Sequence, residues 1–579
     1  MKHLRHLFTA LLLLCSTVAF AHDFEVDGIY YNITDAATKT VEVSYKGNSR
    51  DSYDDEYSGK VVIPKTVEYG GVAYSITQIG DWAFSSCHNL VCVEIPNSVT
   101  ELGAYAFSVC DELKSIKIPN SVTSIGDFAF SGCFHIVNIE ISNSVTSIGG
   151  YAFAFCEDLQ SIIIPNSVTS IGQCAFYGCT SLSSIEIPNS VASIVNSAFY
   201  GCTSLSSIEI PNSVTSIERY AFSGCSGLAS IVIPNSVTSI GEQAFYNCSA
   251  LASIAIPNSV TNVGDEAFYG TAWYNNQPDG VVYAGRVLYK YKGTMPKKTS
   301  IVIKEGTISI GKSTFEDCSG LTSIEIPNSV TSIERYAFSG CSGLTSIEIP
   351  NSVTSIEYKV FYGCTGLTNV VIPNSVTSIR DAAFASCSGL ASIVIPNSVT
   401  SIGWNAFEGC SGLTSIEISN SVTSIGYRTF YGCSALTAVA IPDNVIGIDF
   451  EAFYGCEKLV GITMGNGVQY VGNFAFAECK NLADIYCLAA TVPSIGSNTF
   501  DNSCPENATL YVPAEAIDSY RTTAPWSSFG NIVEIGSTNV ETVKGESGKM
   551  KAIYDFQGRN VDAPKKGLYI VDGKKVFIK

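Results

Sequence analysis

A phenylalanine returns every 23 residues, at Phe84, Phe107, Phe130, Phe153, Phe176, Phe199, Phe222, Phe245 and Phe268, with a cysteine three places behind in every copy but the last, from Cys87 to Cys248. After an interruption the comb resumes at Phe315, Phe338, Phe361, Phe384, Phe407, Phe430, Phe453 and Phe476, beside Cys318 through Cys479. One period, residues 216–240, reads S-I-E-R-Y-A-F-S-G-C-S-G-L-A-S-I-V-I-P-N-S-V-T-S-I. A coil whose turns stack on near-copies of themselves accounts for such a fixed interval, so the period predicts a solenoid.

Within one turn, Ile231 and Ile233 lie two apart and share one side of a short strand, while Val232 points to the other. Pro234 ends that strand because it has no N–H to give to the ladder. A second short extended run follows, returning Val237 and Ile240 to the interior. Ala221, Phe222, Cys225 and Leu228 are spaced by ones, threes and fours, which predicts a helical or 3-10 piece closing the turn with those side chains inward. The ladder Phe222, Cys225, Phe245, Cys248, Phe338 and Cys341 is therefore expected to be structural. A single turn orders more backbone than its few apolar side chains can stabilise, so neighbours and end caps are required.

The 21 cysteines raise the question of a disulfide framework. Sixteen share one position in the period. Neighbours would lie about 5 Å apart with parallel rather than converging side chains, which favours a ladder of buried thiols over cross-links. Their spacing offers no local metal cluster. Cys92 and Cys174 stand where other turns carry Ser115, Ser161 or Tyr220, and are expected to be exposed or half-exposed. Cys487 and Cys504 flank the last turn, where a bridge or two free thiols are both open.

The motif x-x-A-F-x-x-C-x-x-L-x-x-I-x-I-P-x-S-V-x-x-I-G resembles that of the BspA-like leucine-rich repeat family of bacterial surface proteins, over residues 78–495. The resemblance implies a leucine-rich repeat solenoid of short parallel strands and short helical or 3-10 turns, with a β-rich N-terminal cap and a small β C-terminal tail. It also implies a non-catalytic, surface-exposed module for protein binding or adhesion, taking a protein or glycan ligand on a host or bacterial surface and needing no cofactor. A structural spacer or surface-layer protein without a specific ligand is the alternative.

Residues 1–21 read as a signal peptide: Lys2 and Arg5 form a basic start, residues 7–14 an apolar core, and Ala19-Phe20-Ala21 a cleavage site. A secreted or outer-surface location follows. Lipid attachment through Cys15 is a further reading, weakened by the bulk of Leu14. Residues 22–77 alternate apolar and polar and are expected to cap the first turn, shielding its bare strand edge. The acidic run 51–56 is either a solvated loop or a calcium loop lacking the usual glycine. Repeats occupy 78–271 and 311–495, with an irregular insert over 272–310 that contains a hairpin over residues 281–291 inside a continuous stack. A C-terminal cap over 496–535, with a short helix over 513–520, and a Gly/Ser/Thr-rich linker over 536–549 follow. The tail 550–579 holds two alternating strands around Asp572-Gly573 and is similar to the C-terminal sorting domains of type IX secretion substrates in Bacteroidetes.

Formal charge is −19, and −21 once Lys2 and Arg5 leave with the leader, which disfavours nucleic acid and anionic membranes. No apolar run beyond the leader is long enough to span a bilayer. His88 and His135 lie two turns apart with no nucleophile or metal partner at matching positions, and no phosphate loop, G-x-S-x-G or H-E-x-x-H occurs, so no catalytic centre is expected. What varies between turns is the outward strand position. Its carboxylates, Glu94, Glu140, Glu186, Glu209, Glu325, Glu348 and Glu417, form a candidate binding face on the concave side, with apolar gaps at Val232, Ala255, Val371 and Val394. A solvent-facing ladder without a ligand is the plainer alternative. Trp273, Tyr274, Tyr283, Tyr289 and Tyr291 form a candidate aromatic patch in the insert, which reads equally as a structural variant of the turn. A tyrosine stripe that includes Tyr177, Tyr200, Tyr246 and Tyr269 follows the buried phenylalanines and suits either adhesion or covering the turn below.

Overall fold

The computed structural model describes residues 22–46, 55–496 and 498–535, with the backbone of 553–554, 567–571 and 574–578. The leader with Cys15, most of the acidic run, the linker and the turn at Asp572-Gly573 lie outside the described residues. Two compact units, residues 1–278 and 279–579, are described in turn.

The first unit is a parallel β-coil in which each 23-residue turn, a rung, contributes to two ladders. Phe24–Val26, Ile29–Asp35 and Thr40–Ser44 form an antiparallel meander. Thr40–Ser44 then pairs in parallel with Val72–Ile79, which opens the ladder running through Glu101–Leu102, Ser124–Ile125, Ser147–Ile148 and Ser170–Ile171. Gly59–Val62 opens the other ladder by pairing with Leu90–Glu94. Register is the repeat itself: Ser161 faces Ser184, and Ser216 faces Ser239. A one-residue slip would turn every buried isoleucine outward, so one register prevails.

The corner between ladders corrects the helical expectation. It contains tight turns and no helix. The amides of Ala221, Cys225 and Leu228 donate to the carbonyl three residues back, whereas those of Tyr220, Phe222 and Gly224 donate to Glu242, Ala244 and Tyr246 of the next rung, at 3.0, 2.8 and 2.7 Å. Tyr220 and Gly224 adopt left-handed conformations, with φ of 57° and 75°. A helix would keep all its donors within its own segment; stacked copies offer unpaired carbonyls next door, and alternating handedness aims every second N–H at them.

The core is a column of rings. Phe222 lies 5.4 Å from Phe199 and 5.3 Å from Phe245, nearly parallel to both. Phe222, Cys225, Phe245 and Cys248 are fully buried. The thiols also bond: Cys225 Sγ donates to the Phe199 carbonyl at 3.0 Å and Cys248 Sγ to that of Phe222 at 3.0 Å. On the second ladder, Thr123 and Thr146 hydroxyls donate to the Thr100 and Thr123 carbonyls of the preceding rungs, at 3.2 and 3.1 Å. The unit ends in a single helical turn, Ala272–Asn275, capped by Thr271, the residue standing where the next cysteine would be.

The second unit repeats the design. An antiparallel hairpin of Gly280–Ala284 and Val287–Lys292 leads into one ladder, with Val287 facing Ser309, and Thr299–Val302 opens the other against Leu321–Glu325. Phe338 and Cys341 are fully buried, and Phe338 stacks 5.4 Å from Phe315. The column finishes on Phe500, closed by the edges of Trp526 and Phe529. Ser503 takes the last cysteine position and makes the same bond, Oγ to the Phe476 carbonyl at 2.6 Å. The short helix expected over 513–520 begins as a 3-10 turn, Ala514–Ala516, and continues as an α-helix, Ile517–Thr522. In the tail, Gly567–Val571 and Lys574–Ile578 pair antiparallel.

Candidate binding surface

Alternation along the first strand of each rung places Ile185 inside and Glu186 outside. The same geometry leaves Glu94, Glu140, Glu186, Glu209, Glu325, Glu348 and Glu417 all exposed. Within the first unit they do not form a uniform acidic stripe. Lys60 pairs with Glu94 at 2.5 Å and Lys117 with Glu140 at 3.0 Å, each from the adjacent rung. Glu186 and Glu209 face one another across a parallel bridge. An open groove passes over these two carboxylates onto Val232 and Ala255, edged by Asn189, Asn212 and Asn235. Val232 is 70% exposed. In the second unit Glu325 faces Val302 and Glu348 faces Val371, again setting a carboxylate beside an exposed valine.

The aromatic residues of the insert belong to two different units. Trp273 packs edge-on against Phe268 at the end of the first, and Tyr274 is half-buried beside it. In the second, Tyr283 accepts the Lys304 amide at 3.0 Å and Tyr291 packs on Phe315. Tyr289 is buried, at 4% exposure. The tyrosine stripe stacks on itself: Tyr177–Tyr200 centroids lie 4.6 Å apart and Tyr246–Tyr269 5.4 Å.

Among the cysteines outside the ladder, one differs from expectation. Cys174 is buried, at 6% exposure, at the left-handed corner position with φ 56°, whereas Cys92 is half-buried as expected. Cys487 and Cys504 are free: Cys487 is buried against the Tyr520 hydroxyl at 3.2 Å, and Cys504 is exposed. Burial pushes the Cys179 thiol of the ladder up to about 12.

Some surface features escaped the sequence reading. His88 Nδ1 lies 2.8 Å from Asp111 and His135 Nδ1 2.9 Å from Asp158, each carboxylate one period further on. The hydrogen bond to Asp158 raises the His135 pKa. The interval of 23 residues was the signal available. Aromatic runs at the corner were missed as well: Trp82, Tyr105, Phe128 and Tyr151 stack face to face, with successive centroids 3.7, 4.5 and 4.6 Å apart.

The solved leucine-rich repeat protein from Bacteroides ovatus is 26% identical, over 89% of this chain and 100% of that one, with a TM-score of 0.37. A leucine-rich cell surface protein from Faecalibacterium prausnitzii is 25% identical, over 80% and 94%, with a TM-score of 0.25. A leucine-rich repeat protein from T. pallidum is 25% identical, over 39% and 90%, with a TM-score of 0.28. No curated protein matches. The profile described as the BspA type leucine-rich repeat region matches residues 68–182, 146–275, 289–414 and 400–521. These matches span more than half of the sequence and follow the same rungs that the ladders define, so the chain belongs to the BspA-type leucine-rich repeat family.

Proposed function

We propose that this protein is exported and works at the outer cell surface as a non-catalytic module for protein binding or adhesion. The observation that carries the reading is the outward strand column, where carboxylates on successive rungs stand beside exposed valines on a scaffold fixed by backbone ladders. Adjacent like charges repel modestly in water, and a basic partner relieves that repulsion while its apolar side chains cover Val232 or Val371. Export is supported by the basic start, apolar run and small-residue site of residues 1–21. Surface attachment is supported by the sorting-like tail 550–579, and one similar protein bears the name cell surface protein. Among the described residues no helix is long and apolar enough to cross a membrane.

The test is capture of host matrix and serum proteins by the full chain, set against a variant carrying Glu186→Lys, Glu209→Lys, Glu325→Lys and Glu348→Lys. Saturable binding that the variant loses by about tenfold or more supports the reading. No saturable binding to any protein supports the second reading, a spacer whose repeats only supply length, which the near-identity of the rungs favours. Binding that the charge variant keeps moves the contact away from the strand column.

A further inference from the structure

Trp404, Tyr427 and Phe450 hold one position, three residues ahead of the buried phenylalanine, in three successive rungs of the second unit. Trp404 is 60% exposed and Phe450 38%. Their centroids are spaced by 6.4 Å from Trp404 to Tyr427 and 5.9 Å from Tyr427 to Phe450. The coil does not demand aromatic residues there, since the first unit fills the same position with Asp81, Asp127, Gln173, Arg219 and Asp265.

The strip widens at its far end. Ile446 replaces the ladder threonine and is 47% exposed. Tyr470 lies over Gly447, where a Cβ would fall 2.0 Å from its ring, and its hydroxyl donates to Asp449 at 2.5 Å. A Cβ on Gly426 would likewise come within 2.9 Å of Trp404 Cδ1, so two glycines seat two rings. Carboxylates line the margin: Asp381 accepts the Trp404 amide at 2.8 Å, and Glu451 engages Arg428, whose guanidinium also lies 5.1 Å from the Tyr427 ring centre.

We propose that this strip binds an uncharged polysaccharide laid across the rungs. A sugar ring has a C–H face that stacks on an aromatic ring and a rim of hydroxyls that donate to carboxylates; the strip supplies a ring on each of three rungs and carboxylates at its two ends, Asp381 and Asp449. The carboxylates, with Arg428 already engaged by Glu451, disfavour sulfated, uronic-acid and nucleic-acid polymers. A protein partner seeks a desolvated apolar centre ringed by neutral contacts. This strip is narrow and edged by charge, which fits a thin polymer chain instead. It is separate from the strand column, so either site can fail without the other.

The full chain is run through native gels containing laminarin, xyloglucan or yeast mannan, with polygalacturonate as the charged control, while tryptophan emission is followed in solution. Retardation by at least one uncharged polymer is expected, with a change in emission, because Trp526 is buried and Trp82 and Trp273 half-buried while Trp404 is open. Trp404→Ala with Phe450→Ala should weaken binding by about tenfold or more. Trp404→Phe should keep most of the binding and lose the emission change. The four-lysine variant of the strand column should bind these polymers as the native chain does. Unchanged circular dichroism of the exposed-ring variants excludes misfolding as the cause. The proposal is overturned if no uncharged polymer retards the chain, if the double-alanine variant is retarded equally, or if only polygalacturonate binds.

Discussion

Each rung bends twice through the left-handed region, two residues before its phenylalanine and two after, as at Tyr220 and Gly224. Glycine holds the second bend in many rungs, but Val109 and Phe155 occupy it with φ of 59° each. A side chain there costs about 1–2 kcal/mol, most for a β-branched residue. Val109→Gly should therefore stabilise the first unit by about 1 kcal/mol even after the added freedom of the unfolded glycine, and Gly224→Val should destabilise it by a similar amount. Shifts of the denaturation midpoint in opposite directions would be the result. The second bend is legible in the sequence as a recurrent glycine. The first is not, because Trp82, Tyr105, Tyr220 and Arg428 all sit there and none signals a turn.

At the level of the rung, the phenylalanine column and the thiol–carbonyl bonds hold one corner to the next. Phe222→Ala would remove a fully buried ring from between Phe199 and Phe245, at a cost of about 3–5 kcal/mol. Because a rung contacts chiefly its neighbours, the loss should be local. Hydrogen exchange should quicken at the amides of residues 199–245 and stay unchanged around Phe130; uniform acceleration over the whole unit would contradict this. The two strands of each rung were readable from Ile231, Ile233 and Pro234, since alternation and a missing N–H are local facts. The corner was misread as helical because spacings of three and four fit a helix when only one copy is considered. Carbonyls one rung away decide otherwise.

Over the whole molecule, the cysteines are a reporter of burial. Free thiols recur along both units, nearly all of them buried, with Cys504 exposed and Cys92 and Cys318 half-buried. Burial raises Cys179, Cys364, Cys410 and Cys479 each to about 12, so at pH 8 they hold almost no thiolate. A maleimide at that pH should label Cys504 first and Cys92 and Cys318 slowly, and reach the buried ladder thiols only after denaturation. Rapid labelling of many ladder thiols in the folded chain would refute the closed core. The outward columns carry what differs between rungs, and the charge of −19 keeps that variable surface soluble and unsuited to polyanions.

The sequence by itself determined the period, the inward residues, the strand positions and the pairing of each residue with the one 23 further on, because a repeat that must bury the same side chains in every copy admits one register. Tertiary structure alone decided the handedness of the corner, the burial of Cys174 and Tyr289, and the separate thiols of Cys487 and Cys504. It also brought His88 to Asp111 and set Tyr470 over Gly447. All of these depend on which groups from neighbouring rungs compete for the same donors and the same space, and that competition exists only once the coil has closed.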